Sequence, residues 1–101
     1  MSNTDDRSKE KVVAPGKDIV AARAANFREA LSCAVSSVDK VVIDLDGVEV
    51  IDAKGIEVMV AAHNSMKKAG GMVAVTNVDP GIHKLFKTMR LDEQFEVQAK
   101  N

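Results

Sequence analysis

A single small α/β domain, its mostly parallel sheet of about four strands covered by helices, follows from three features of this 101-residue chain. Runs of β-branched residues alternate with segments whose apolar positions recur every three or four residues, which is the spacing of β/α units. Pro-Gly, Asp-Gly and Gly-Gly pairs punctuate the segments. With 46% hydrophobic and 29% charged residues, the composition supplies one core that needs neither disulfides nor a structural metal.

Met1 to Lys11 is polar, mixed in charge and lacks the apolar centre of a secretion signal, so residues 1–11 are expected to be a disordered tail and 12–101 the domain. Val12-Val13-Ala14 reads as a short strand stopped by Pro15-Gly16. Ala24, Phe27, Leu31, Ala34 and Val35 form an apolar stripe that predicts a helix from Ala21 to Ser36. Cys33, inside that helix, reads as a small semi-buried hydrophobe. Val41-Val42-Ile43-Asp44-Leu45 is a nearly continuous apolar run, the pattern of a central strand covered on both faces.

After Val48, Val50 and Ile51, the tetrad Asp52-Ala53-Lys54-Gly55 leads into a stripe of Ile56, Met59, Val60, His63 and Met66. This predicts a helix over 54–69 with Asp52 as its N-cap. Lys67 and Lys68 suit the negative helix end, and Gly70-Gly71 supplies the stop. Met72 to Val75 is the next strand, and Asp79-Pro80 opens a helix whose apolar face is Ile82, Leu85, Phe86 and Met89. Phe95-Glu96-Val97 is the last short strand. Met59, Met66, Met72 and Met89 are expected to fill the core.

Several function classes are disfavoured. A net charge of −1 gives no basic field for nucleic acid, and 3% aromatic residues leave little for base stacking. Cys33 is the only cysteine, and His63 and His83 have no ligand spacing, so no metal or cofactor is expected. The longest apolar run, Val58 to Ala62, is far short of the roughly 20 residues a bilayer requires, so no membrane insertion is expected and the cytoplasm is the expected setting. Residues 39–57 carry six acidic and two basic side chains and 67–90 five basic and one acidic, a bipolar surface able to steer a charged partner.

One catalytic alternative rests on Val41 to Val48. An apolar strand ending in Asp44-Leu45-Asp46-Gly47 resembles the first motif of the haloacid dehalogenase superfamily, which implies Asp44 as nucleophile, Asp46 as general acid/base and a magnesium ion between carboxylates and phosphate. The remaining parts of that machinery would fall to Thr76, Lys84 and Asp92-Glu93, compressed into too short a span. Asp46-Gly47 is equally a turn after a central strand.

A broader resemblance covers Val41 to Val97. Val-Val-Ile-Asp-Leu at 41–45, Gly-Val-x-x-Ile-Asp-x-x-Gly-Ile at 47–56, Lys-x-x-Gly-Gly at 67–71, the strand 72–75, Asn77-Val78-x-Pro80 and the closing helix to Met89 occur in the order and spacing of the STAS domain. That is the module of bacterial anti-sigma factor antagonists. Leu91-Asp92-Glu93-Gln94-Phe95 resembles that family's ending, and Gly16 to Leu31 its first turn and helix, with Asp18 in place of the turn's aspartate. The resemblance implies a non-catalytic interaction domain that binds an anti-sigma factor, a serine kinase or a related regulator through Asp18, Asp52, Ala53, Lys54, Gly55 and Ile56.

Switching members of the family carry Ser or Thr where Ala53 stands, and that hydroxyl is phosphorylated. Alanine offers no hydroxyl, so the resemblance implies a binder that this route does not switch. Lys54 brings a cation to the positive end of a helix and favours a partner with an acidic patch. The family also includes accessory domains of transporter and chemotaxis-type complexes, which form the second reading. An unpaired first-strand edge is a place where a homodimer could form.

Overall fold

The computed structural model describes residues 10–35 and 38–99. Along them run β1 (Glu10–Val13), α1 (Ala21–Val35), β2 (Lys40–Asp44), α2 (Ala53–Lys68), β3 (Met72–Val78), α3 (Pro80–Thr88), a 3₁₀ turn at Leu91–Glu93 and β4 (Glu96–Ala99). Residues 1–9 of the expected tail, and Ser36 at the expected end of the first helix, lie outside the described residues.

The sheet order is β1-β2-β3-β4 and every pairing is parallel. Parallel neighbours require crossovers, and crossovers of this kind are right-handed. An order that never reverses therefore turns all three crossover helices onto the same side of the sheet. The register agrees with this. Val13, Ile43, Val75 and Val97 form one row across the sheet and, with Val41 and Val73, pack in the same cluster as the helices.

The expectation that β2 is covered on both faces is thereby corrected. Val41 and Ile43 are buried, whereas Lys40, Val42 and Asp44 on the alternate face are only half-buried. A run of apolar residues cannot reveal this, because the face a strand hides is set by where the crossovers land.

α1 buries Ala24, Phe27, Leu31 and Ala34, while Cys33 lies off that stripe and is exposed, not semi-buried. α2 buries Ile56, Val58, Met59, Ala62 and Met66, and α3 buries Ile82 and Phe86. Phe86 meets Phe95 edge-on at 6.0 Å between ring centroids, and Phe95 in turn meets His63 at 5.7 Å. These contacts join α2, α3 and the approach to β4. Met59 and Met66 fill the core as expected, but Met72 and Met89 are 46% and 47% exposed.

Element ends move where pairing outruns side-chain pattern. β1 starts two residues before the expected Val12 because Glu10 and Lys11 register with Lys40 and Val41, and it stops at Val13. Backbone pairing at a sheet edge tolerates charged side chains, so the polar segment that sequence assigned to the tail gives up Glu10 and Lys11 to the ladder. β3 continues past Val75 to Val78 through an irregularity in which Asn77 takes φ of 54°. Among the described residues no helix is long and apolar enough to cross a membrane.

Candidate functional site

The tetrad stands where two loops are joined at the carboxyl end of β1 and β2. Ile19 N donates to Val50 O at 2.9 Å and Asp52 N donates to Ile19 O at 3.0 Å, forming a parallel bridge between Ile19 and Ile51. Asp18 Oδ1 accepts from the amides of Glu49 and Val50 at 2.9 and 3.1 Å. Asp18 therefore acts on the loop backbone, and the turn that carries it is fixed against the segment leading into the tetrad.

Two glycines allow that approach. A Cβ on Gly47, whose φ is +86°, would stand 2.8 Å from Gly16 O. A Cβ on Gly55 would stand 2.7 Å from Ile19 Cγ2, 2.9 Å from Ile51 Cγ2 and 3.1 Å from Ile19 O. Neither distance is compatible with a real side chain, so the close contact of the loops is written into these positions.

Asp52 caps α2 as expected, its Oδ1 accepting from Gly55 N at 3.1 Å. The first turn then divides by depth. Gly55 and Ile56 are buried, Asp52 is half-buried, and Ala53 and Lys54 are exposed on the first two helical positions. The structure thus brings the six sequence-predicted residues into one corner, with Ala53 and Lys54 as its outward surface and Asp18, Gly55 and Ile56 as its support.

A groove runs along each side of this corner. Between α2 and α3 it is lined by Ile51, Ala53, Ile56, Leu85 and Met89, with Glu57 at the rim. Between α1 and α2 it is lined by Ala24, Ala25, Arg28, Ser32, Lys54 and Val58. Sequence reasoning placed Leu85 and Met89 only in the core. The signal was a second i, i+4 pair beside Ile82 and Phe86, giving α3 a wider apolar face than one contact needs.

Asp44 and Asp46 make a turn. Asp44 Oδ1 accepts from Asp46 N at 3.0 Å and from Asn77 Nδ2 at 2.9 Å. Among the described residues no three acidic, histidine or cysteine side chains gather as a metal site. The Asn77 amide first, and the Asp46 amide second, hold the Asp44 carboxyl below its ordinary value of 3.8. A depressed carboxyl contributes stability that is complete above about pH 4 and is lost as pH falls through the lowered value. Asn77→Gly keeps the left-handed backbone accessible and removes the donor. It is expected to raise the Asp44 midpoint toward 3.8 in a carboxyl NMR titration; an unmoved midpoint would show that Asn77 is not the main cause.

Comparison with known proteins bears on the family and the fold. A family model described as the STAS domain matches residues 3–100. Among curated proteins no significant match is found. Among solved structures the chain is similar to an anti-sigma factor antagonist from Mycobacterium paratuberculosis, with 23% identity, 96% of this chain and 80% of that one covered, and a TM-score of 0.78. It is similar to a sulfate transporter family protein from Wolinella succinogenes at 15% identity, with 90% and 77% covered and a TM-score of 0.78. It is also similar to the Bacillus cell fate determinant SpoIIAA in its phosphorylated form at 14% identity, with 94% and 86% covered and a TM-score of 0.70.

Proposed function

The chain belongs to the STAS domain family, and from that premise we propose that it is a non-catalytic, cytoplasmic interaction module of the anti-sigma factor antagonist kind. Its partner is a protein, an anti-sigma factor, a serine kinase or a related regulator. The partner contacts the exposed start of α2 at Ala53 and Lys54, backed by Asp52, Gly55 and Ile56 and by the turn that carries Asp18.

The observation that carries this reading is the exposure of Ala53 on the first residue of a side-chain-capped helix. Unpaired amides and partial positive charge at a helix start make any charge placed there count in a contact. SpoIIAA takes a phosphorylated form; this chain has no hydroxyl at position 53, so its binding surface stays in one state and its effect is set by abundance. Lys54 adds a cation that favours an acidic patch on the partner.

A second reading, an accessory subunit of a transporter or chemotaxis-type complex, is favoured by the fold's equal likeness to the transporter-family structure. Pull-downs from native lysate with wild type, Ala53→Ser, Ala53→Glu and Lys54→Ala, read by mass spectrometry, separate the two. The antagonist reading expects capture of an ATP-binding anti-sigma kinase, phosphorylation of Ala53→Ser, loss of the partner with Ala53→Glu and weakened capture with Lys54→Ala. A transporter or signalling subunit held equally by all four baits would replace it with the accessory reading.

A further inference from the structure

The side of the sheet away from the helices carries its own ordered pattern. Val12, Val42 and Ala74 lie in one row across β1, β2 and β3. Val12 is 54% exposed, and Met72, two residues before Ala74, is 46% exposed. None of these residues belongs to the core cluster that the helices share. Ala74 itself is buried and Val42 half-buried; parallel sheets are ordinarily covered on both faces, so the exposed Val12 and Met72 beside them call for an occupant.

We propose that this face is the contact surface of a homodimer, seated on a second copy of the chain about a two-fold axis that crosses the strands at the level of Val42. The argument is the charge order along β2. On this face the strand presents Lys40, Val42 and Asp44, a sequence that is its own complement when turned end for end about Val42. The proposed axis lays β2 antiparallel on the β2 of the second copy. Val42 then meets Val42, and Lys40 meets Asp44 twice, as an isologous interface requires.

The neighbouring strands follow the same operation. Val12 meets Val12, and Met72 lies over Thr76 on either side of the buried Ala74. Lys40 has no ion pair among the described residues. Asp44 uses Oδ1 for its two hydrogen bonds, and its Oδ2 accepts none among the described residues. Glu96, in the same row on β4, would meet its own copy at the rim, where water screens the repulsion.

The area fixes the strength. Four strands about 4.8 Å apart, 4, 5, 7 and 4 residues long at a rise of about 3.3 Å, present roughly 300 Å² per copy. A standard interface buries about 800 Å² on each partner, so this dimer is weak and forms only at high concentration. The proposal does not depend on the tetrad, which lies at the end of the strands and stays open in the dimer.

Sedimentation velocity on the full chain, from low micromolar to near-millimolar concentration, tests it. Wild type is expected to shift from monomer toward dimer. Lys40→Asp, which sets Asp against Asp44, and Val12→Asp, on an exposed edge position that folding tolerates, are each expected to weaken association by at least about tenfold. Ala53→Glu is expected to leave it unchanged, and circular dichroism of each variant confirms that it is folded. A wild-type chain monomeric throughout overturns the proposal, as does a dimer whose constant neither Lys40→Asp nor Val12→Asp moves.

Discussion

Gly55→Ala is expected to destabilise the domain by about 1–2 kcal/mol and to weaken partner capture, although alanine is the better helix former. Inside a helix the exchange favours alanine by roughly 0.5–1 kcal/mol. Here the added methyl would stand 2.7 Å from Ile19 Cγ2, 2.9 Å from Ile51 Cγ2 and 3.1 Å from a backbone oxygen. Overpacking of this kind costs about 1–3 kcal/mol, and the backbone oxygen cannot rotate away. Relief requires the Asp18–Ile19 turn to part from the start of α2, which loosens the bridge between Ile19 and Ile51 and the surface that Ala53 and Lys54 present. Urea unfolding measures the first effect, and amide exchange at Ile19 and Asp52 the second. A variant as stable as wild type, with both amides still protected, would show that the contact of the loops is not held by Gly55.

Phe86→Ala is expected to have the larger effect on stability, a loss of about 3–5 kcal/mol. Its side chain is 0% exposed and meets Phe95, which meets His63 on α2. Truncation leaves a void beneath an element that contributes little other burial, since α3 buries only Ile82 and Phe86. Against a total of about 5–15 kcal/mol for a domain of ordinary stability, this consumes a large share. Phe86→Leu, which keeps most of the volume, is expected to cost less than about 1.5 kcal/mol. Denaturant midpoints for the pair check this. Equal losses in both variants would mean that the ring contact, not the volume, is what Phe86 provides.

Much of this was legible in the residues themselves. Period and punctuation placed α2 to within a residue at each end, because Asp52, the Ile56–Met59–Met66 stripe and Gly70-Gly71 all speak locally. β3 was legible only as far as Val75, since Thr76 and Asn77 break the apolar run while the backbone ladder continues to Val78. Met89 and Met72 looked like core because a methionine at helical or strand spacing carries no mark of which side of the stripe it occupies. Ala53 was legible as a missing hydroxyl.

The order of strands and helices, the capped tetrad and the family were fixed by the chain's own pattern, since propensity, capping and spacing act over a few residues. Tertiary structure alone decided three things. It set Asp18 on the amides of Glu49 and Val50, 31 and 32 residues away. It made Gly55 the floor of a contact between two loops. It placed every helix on one face and left Val12, Val42 and Met72 on the other. Each depends on the direction in which successive crossovers turn, and that direction belongs to the assembled sheet and to no segment of the sequence.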